Sequence, residues 1–233
     1  MRLSICIPVF NNYNLTKACL RDLSFLPDDV EVIICDNNST DDTINLLDLP
    51  KKQLPKNFKY IKNDTNIGFG LASNKAFNVA VGEYILFLNN DIRVQNNHKT
   101  WPDILIKCAS GGGLVSPNVG MLDYNLNFIS EGKIFNTQNT YLSGWCLCGK
   151  KETFNKLILQ NDIGPFDSSF FVFFEDTDLS FRAKQLNIEL ICADIPVIHF
   201  GHQTAKKCNL SKLYLESQVI FKNKWLGYKW NQI

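Results

Sequence analysis

The chain has 233 residues, 45% hydrophobic and 20% charged, with a formal net charge of +1. That length suits one large domain, and the near-neutral charge gives no global pull toward nucleic acid. No apolar run reaches the length of a membrane span, and the opening residues lack the pattern of a signal peptide, so a cytoplasmic setting is expected.

Leu3–Val9 reads as a buried strand, and Asn14–Leu23 carries apolar residues at helical spacing, with Asn12 or Asn14 as its expected cap. Val30–Cys35 is a second buried strand, followed by the turn string Asp36–Asp42 and a short helix over Thr43–Leu47. Phe58–Ile61 is a third strand, Gly68–Ala80 a helix and Tyr84–Leu88 a fourth strand that runs into Asn89-Asn90-Asp91. Strand alternating with helix predicts a parallel sheet covered on both faces. In such sheets ligands bind beyond the carboxyl ends of the strands. The polar clusters sit there: Asn11-Asn12, Asp36-Asn37-Asn38 and Asn89-Asn90-Asp91.

The second half is less regular. A helix is predicted over Thr100–Ala109, short strands and turns from Gly111 to Gly149, and a helix over Lys150–Leu157. The apolar run Phe170–Phe174 leads into Glu175-Asp176-Thr177-Asp178, and Asp176–Gln185 reads as a helix. Glu189–Cys192 and Val197–Phe200 are short strands, and Leu210–Trp225 is a last helix, capped by Asn209 or Ser211. Three carboxylates in four residues exceed what a helix N-terminus needs. Beside an apolar wall, desolvation moves a carboxyl toward the range useful for proton transfer. Asp178 and Arg182, one turn apart, read as a structural pair.

Several chemistries are excluded. Gly68-Phe69-Gly70 lacks a third glycine and follows a polar loop, so it is not a dinucleotide fingerprint, and Gly111-Gly112-Gly113 has no following Gly-Lys. The eight cysteines mostly lie in apolar runs, as small hydrophobes do. The pair Cys146 and Cys148 has no partner pair for zinc. A reduced state fits this usage better than a disulfide scaffold.

Seven strings occur in order: Ile7-Pro8-Val9-Phe10-Asn11-Asn12; Cys35-Asp36-Asn37-Asn38-Ser39-Thr40-Asp41-Asp42-Thr43; Asn66-Ile67-Gly68-Phe69-Gly70 with Asn74; Leu88-Asn89-Asn90-Asp91; Gly164-Pro165-Phe166-Asp167; Phe174-Glu175-Asp176-Thr177-Asp178-Leu179 with Arg182; and Val197-Ile198-His199-Phe200-Gly201. Together they resemble glycosyltransferase family 2, inverting enzymes of the GT-A fold, and within it the rhamnosyltransferase-like branch. The resemblance implies an α/β GT-A domain over residues 1–233, with a mostly parallel nucleotide-binding sheet flanked by helices. Residues 1–95 would bind the nucleotide sugar, 96–205 the acceptor and catalytic base, and 206–233 would form a C-terminal helix.

By the same resemblance, Pro8, Phe10, Asn12, Asp36, Gly68, Asn74, Asn89, Asn90 and Asp91 bind the donor. For Asp36 the competing role is closing an Asx-turn. Asp91 is the one carboxylate left in the family's DxD-type motif. Asp91 and His199 would hold a divalent cation, with imidazole favouring Mn2+ over Mg2+. Asp176 is the expected base, and Glu175 orients the acceptor or the base. Trp145 is either an acceptor platform or a core aromatic. His202 follows His199, and Lys206 and Lys207 beyond it either close over the diphosphate or stand in solvent.

The implied reaction moves a sugar from a nucleoside diphosphate, UDP ahead of dTDP, to a hydroxyl on a glycan, a lipid-linked carrier or a protein. The alternatives are a relic of the fold that binds sugar nucleotide or glycan without turnover and, below it, a nucleotidyltransferase. No nucleic-acid partner is expected. Residues 203–233 hold six lysines against the single acid Glu216, with Phe221, Trp225, Tyr228 and Trp230 interleaved. Peripheral membrane contact through them is the weaker reading, and a helix packed on the domain the stronger, because it must bury Leu213 and Val219.

Overall fold

An unbroken apolar strand is stable only where both its faces are covered, and this sets the architecture. The computed structural model describes residues 1–134, 139–201 and 210–228. Strands β1 (Leu3–Val9), β2 (Val30–Asp36), β3 (Asn57–Lys62) and β4 (Tyr84–Leu88) pair in parallel in the order β3-β2-β1-β4. Every residue of β1, β2 and β4 is buried, while β3 at the edge is half-buried.

The second half contributes β5 (Ile92–Val94), β6 (Leu114–Ser116), β7 (Val119–Leu122), β8 (Phe128–Gly132), β9 (Thr140–Leu142), β10 (Cys146–Lys150), β11 (Leu190–Cys192) and β12 (Val197–His199). β10 enters the main sheet between β4 and β6, antiparallel to both, and β11 closes the edge, giving a seven-stranded order β3-β2-β1-β4-β10-β6-β11. β8-β7-β9 form a separate antiparallel sheet, and β5 pairs with β12.

Helices α1 (Tyr13–Leu23) and α3 (Trp101–Ala109) cover one face through Leu20, Leu23, Trp101 and Leu105. α2 (Phe69–Val79), α4 (Lys151–Asn155) and α5 (Glu175–Gln185) cover the other through Ala76, Phe77, Phe154 and Leu179. A third cluster joins α5 to α6 (Ser211–Trp225) through Phe170, Phe174, Phe181, Phe221 and Trp225.

Several expectations about helix ends change. Asn12 precedes α1 in a left-handed conformation and its side chain does not cap it. Asp41 does so from the neighbouring turn, accepting the Tyr13 N–H at 3.0 Å. The helix expected over Thr43–Leu47 is a 3-10 turn, Asp42–Asp48. α4 is shorter than predicted, and α5 starts at Glu175, so Asp176 lies inside the first turn and is not its cap. Ser211 lies inside α6, and Asn209 falls outside the described residues.

The Asp178–Arg182 pair forms as expected. Arg182 Nε donates to Asp178 Oδ2 at 2.7 Å, and its other nitrogens donate to the Leu157 and Pro165 carbonyls. α6 reaches the same carboxylate: Trp225 Nε1 donates to Asp178 Oδ1 at 2.8 Å, and Lys224 Nζ lies 2.7 Å from it and 2.9 Å from Asp167. Phe221 and Trp225 are therefore buried, and Lys222 Nζ donates to Asn127 Oδ1 at 2.6 Å. Val219, expected to be buried, is 57% exposed. Lys229 and Trp230 lie outside the described residues. No helix among the described residues is long and apolar enough to cross a membrane. The seven cysteines described are free thiols, and Cys208 lies outside.

Phe221→Ala should cost about 3–5 kcal/mol of stability in urea unfolding, and Val219→Ser no more than about 0.5 kcal/mol. Equal losses would mean that α6 packs on a different face.

Candidate active site

The carboxyl ends of β1, β2 and β4 open into a cleft of about 870 Å³ whose opposite wall is the start of α5 and part of the β8-β7-β9 sheet. Pro8 lies near the end of β1 and Phe10 follows it, Asn37 follows β2, and Asn89, Asn90 and Asp91 follow β4. The antiparallel entry of β10 sets Trp145 beside β4, where its carbonyl accepts the Asn89 N–H at 2.8 Å. Asn90 Nδ2 donates to Thr16 Oγ1 at 2.7 Å, which ties the loop to α1.

His199 is brought to Asp91 by strand pairing. β12 registers His199 against Ile92, and the Phe200 N–H donates to the Asp91 carbonyl at 2.9 Å. The imidazole Nε2 then lies 3.0 Å from Asp91 Oδ1 and 3.2 Å from Asn89 Nδ2, and the ring stacks on Trp145 at 4.6 Å and 9°. Nε2 can donate to Asp91 or accept from Asn89, not both. In the second case Asp91 Oδ1 has no partner, and the buried Asn89 Oδ1 has none in either. Two ligands of one ion at about 2.1 Å and a right angle are roughly 3 Å apart, so the Asp91–His199 spacing fits shared coordination. Among the described residues no group of three or more His, Cys, Asp or Glu side chains that could hold a metal ion occurs.

The acids stand across the cleft. Phe173 and Phe174 both have positive φ, 68° and 66°, which turns the chain sharply into α5. Asp176 Oδ2 accepts the Gly144 N–H at 2.7 Å, and its Oδ1 accepts the Thr177 N–H at 2.7 Å and hydroxyl at 3.1 Å. Burial raises its carboxyl above the ordinary range, and these hydrogen bonds oppose that rise. Glu175 is 7% exposed and its Oε2 has no partner. Burial first, and then the Asp176 charge, holds its carboxyl well above the ordinary range. Asp91, Glu131, Glu175 and Asp176 line the cleft, and no described lysine or arginine does. His202, Lys206 and Lys207 lie outside the described residues.

Of the residues expected at a donor site, Pro8, Phe10, Gly68, Asn89, Asn90 and Asp91 line the cleft. Asn74 does not. It is fully buried, and its amide both donates to the Phe166 carbonyl and accepts the Phe166 N–H, at 2.7 and 3.0 Å, clipping α2 to a loop 92 residues away. Asn12 is likewise off the cleft wall, where its carbonyl starts α1. Asp36 is 1% exposed and closes the turn with Ser39, while its Oδ2 accepts the Tyr60 hydroxyl at 2.7 Å. The turn-closing role is thus present, and Asn37 is the residue that reaches the cleft. Trp145 lines it too, but one face of its indole is taken by His199, so it orients the imidazole.

Glu131 and Tyr141 are cleft residues that sequence reasoning missed. They come from the short β8 and β9, where no periodicity singles them out. Asn37 was within the quoted string beside Asp36.

A model of glycosyl transferase family 2 matches residues 4–105. A poly(ribitol-phosphate) beta-glucosyltransferase of Bacillus spizizenii is 38% identical over 95 residues, which is 39% of this chain and 15% of that protein. The Escherichia coli enzyme WfaP, a UDP-Glc:alpha-D-GlcNAc-diphosphoundecaprenol beta-1,3-glucosyltransferase, is 36% identical over 89 residues, 38% of this chain and 34% of that one. The chain thus matches only a small part of these relatives' length. The structure of Staphylococcus aureus TarS 1–349 with UDP superposes with a TM-score of 0.60 at 20% identity, over 84% of this chain and 60% of that one. The mannosyltransferase PcManGT of Pyrobaculum calidifontis, solved with GDP-Man and Mn2+, gives 0.61 at 16% identity, over 82% and 54%. The fold is GT-A.

A side chain at Gly144 would put its Cβ 2.8 Å from the Asp176 Cβ. Gly144→Ala should therefore cost about 1–3 kcal/mol, read as a fall of several degrees in Tm. An unchanged Tm would mean that Asp176 is not held against this loop.

Proposed function

We propose that the chain, whose residues 4–105 belong to glycosyltransferase family 2, is an inverting glycosyltransferase that uses a nucleoside diphosphate sugar, UDP ahead of dTDP, and a hydroxyl acceptor. The observation that carries this reading is that the Glu175–Asp176 pair and the Asp91–His199 pair face one cleft at the carboxyl edge of the sheet. Pro8, Phe10 and Asn37 would bound the nucleoside, with Asp36 holding the turn behind them. Asn89 and Asn90 would meet ribose or phosphate. The UDP bound to TarS supports the nucleotide preference.

The charge of the cleft argues for a counter-ion. Four acids line it without a described lysine or arginine, and a diphosphate adds further negative charge. Asp91 and His199 would hold a divalent cation, manganese before magnesium because of the imidazole, and such an ion offsets charge on a departing diphosphate.

Asp176 takes the proton of the acceptor hydroxyl as that oxygen bonds to the anomeric carbon. The bond from that carbon to the diphosphate breaks on the opposite face, and the configuration inverts. The acceptor is a glycan, a lipid-linked carrier or a protein. A reducing, cytoplasmic setting suits the seven free thiols among the described residues.

Asp176→Asn should leave nucleotide binding intact and cut transfer by about a hundredfold or more. Near-normal transfer would remove Asp176 as the base, and donor binding without any transfer by the unmodified protein would favour the binding relic. Asp91→Asn should abolish manganese-dependent UDP binding in calorimetry, and unchanged affinity would take Asp91 out of the metal site.

A further inference from the structure

The two acids of the proposed active site are adjacent in sequence but unequal in surroundings. Asp176 receives three donors, two backbone N–H groups and the Thr177 hydroxyl. Glu175 is more than nine-tenths buried, lines the cleft and leaves Oε2 without a partner. Behind it the backbone of Gly70 approaches closely enough that an added Cβ there would lie 3.8 Å from the Glu175 Cβ and 3.3 Å from that of Phe166. The titratable groups lining the cleft around the pair are Glu131 of β8, Tyr141 of β9 and Tyr214 of α6, with Asp91 and His199 on the β4 and β12 side. None of the side chains from α2, α5, α6, β8 or β9 that line it is a lysine or arginine.

Two neighbouring carboxylates shielded from water do not both ionise cheaply, and the proton stays on the one whose anion is less well hydrogen-bonded. Here that one is Glu175. We propose that Glu175 works as a neutral carboxylic acid whose O–H donates a hydrogen bond to a hydroxyl or ring oxygen of the bound sugar, leaving Asp176 as the only anion of the pair. The inference rests on the glycosyltransferase reading for the ligand's identity, but not for the protonation state. The direction in which burial and Asp176 push the Glu175 carboxyl agrees with it.

The proton balance is simple. The acceptor's proton goes to Asp176 while the acceptor oxygen bonds to the anomeric carbon and the diphosphate departs. The Glu175 proton stays in place throughout.

The test combines a direct titration with kinetics. In the full chain labelled with 13C at the glutamate carboxyls, one resonance should titrate well above the usual value of about 4.3, and that resonance should be missing in Glu175→Gln. If every glutamate titrates in the usual range, the proposal is overturned. Stability gives a second readout. Above the ordinary glutamate range the unfolded chain has released this proton and the folded chain still holds it, so wild-type stability falls as pH rises toward the folded value. The Tm advantage of Glu175→Gln over wild type should grow across that interval, and a constant difference would count against the proposal.

In transfer assays Glu175→Gln, which keeps a neutral donor, should lose activity only several-fold, while Glu175→Ala should lose about a hundredfold. A Glu175→Gln enzyme as slow as Asp176→Asn would mean that Glu175 must be charged, and would overturn the idea. The two readings fail separately. An ordinary titration in an active transferase sinks the neutral acid alone. An elevated titration in a protein that transfers nothing sinks the transferase reading alone.

Discussion

The second half of the molecule depends on a carboxylate that water does not reach. Asp178 is fully buried and is met by Arg182 from its own helix and by Lys224 and Trp225 from α6. Arg182 extends the junction to the carbonyls of Leu157 and Pro165. One side chain thus fixes α5, α6 and two loops to one another. Removing a partner from such a junction leaves an unpaired buried charge, typically about 3–5 kcal/mol. Glu175 and Asp176 lie within one turn of Asp178 on the same helix, so their position in the cleft is set by a contact that faces away from it.

The chemistry of the cleft follows from what its walls lack. The parallel strands deliver asparagines and one aspartate, β8 delivers Glu131 and α5 two acids, and no described lysine or arginine lines the cleft. Such a site repels an anionic donor unless a cation accompanies it. On the proposed reading, a cation held by the Asp91–His199 pair would answer that need with little protein charge, and metal and donor would be interdependent. A protonated Glu175 would relieve the same excess from the other wall.

Much of this was legible because parallel strands announce themselves. The runs at Leu3–Val9, Val30–Cys35 and Tyr84–Leu88 are apolar but for Ser4 and Glu31, and a polar string follows each, so the sheet and the location of its ligand edge could be read directly. Residue roles were less legible. Asn74 and Asn90 are both asparagines within family-like strings, yet one clips α2 to Phe166 and the other reaches the cleft. Only long-range packing separates them. The insertion of β10 between β4 and β6 leaves no local signal, because Cys146–Lys150 looks the same in any neighbourhood. Trp145 depended on that insertion, and so its contact with His199 was out of reach. The caps failed for a related reason: Asp41, which receives the Tyr13 N–H, lies 28 residues from it.

The sharpest local strain lies where the acids begin. Phe173 and Phe174 occupy the left-handed region, which costs of order 1–3 kcal/mol for a residue with a bulky side chain. An isolated loop would relax out of it. Here the rings are held: Phe173 and Phe174 both meet Tyr214 of α6, and Phe174 stacks on Phe221 at 5.2 Å. Burial of Phe174 returns roughly 1.5–3 kcal/mol and the half-buried Phe173 adds to it, which offsets the strain. The return exists only while α6 is docked. The orientation of Glu175 and Asp176 is therefore coupled to a helix remote in sequence, and without α6 the turn that aims these acids into the cleft would lose the contacts that hold it.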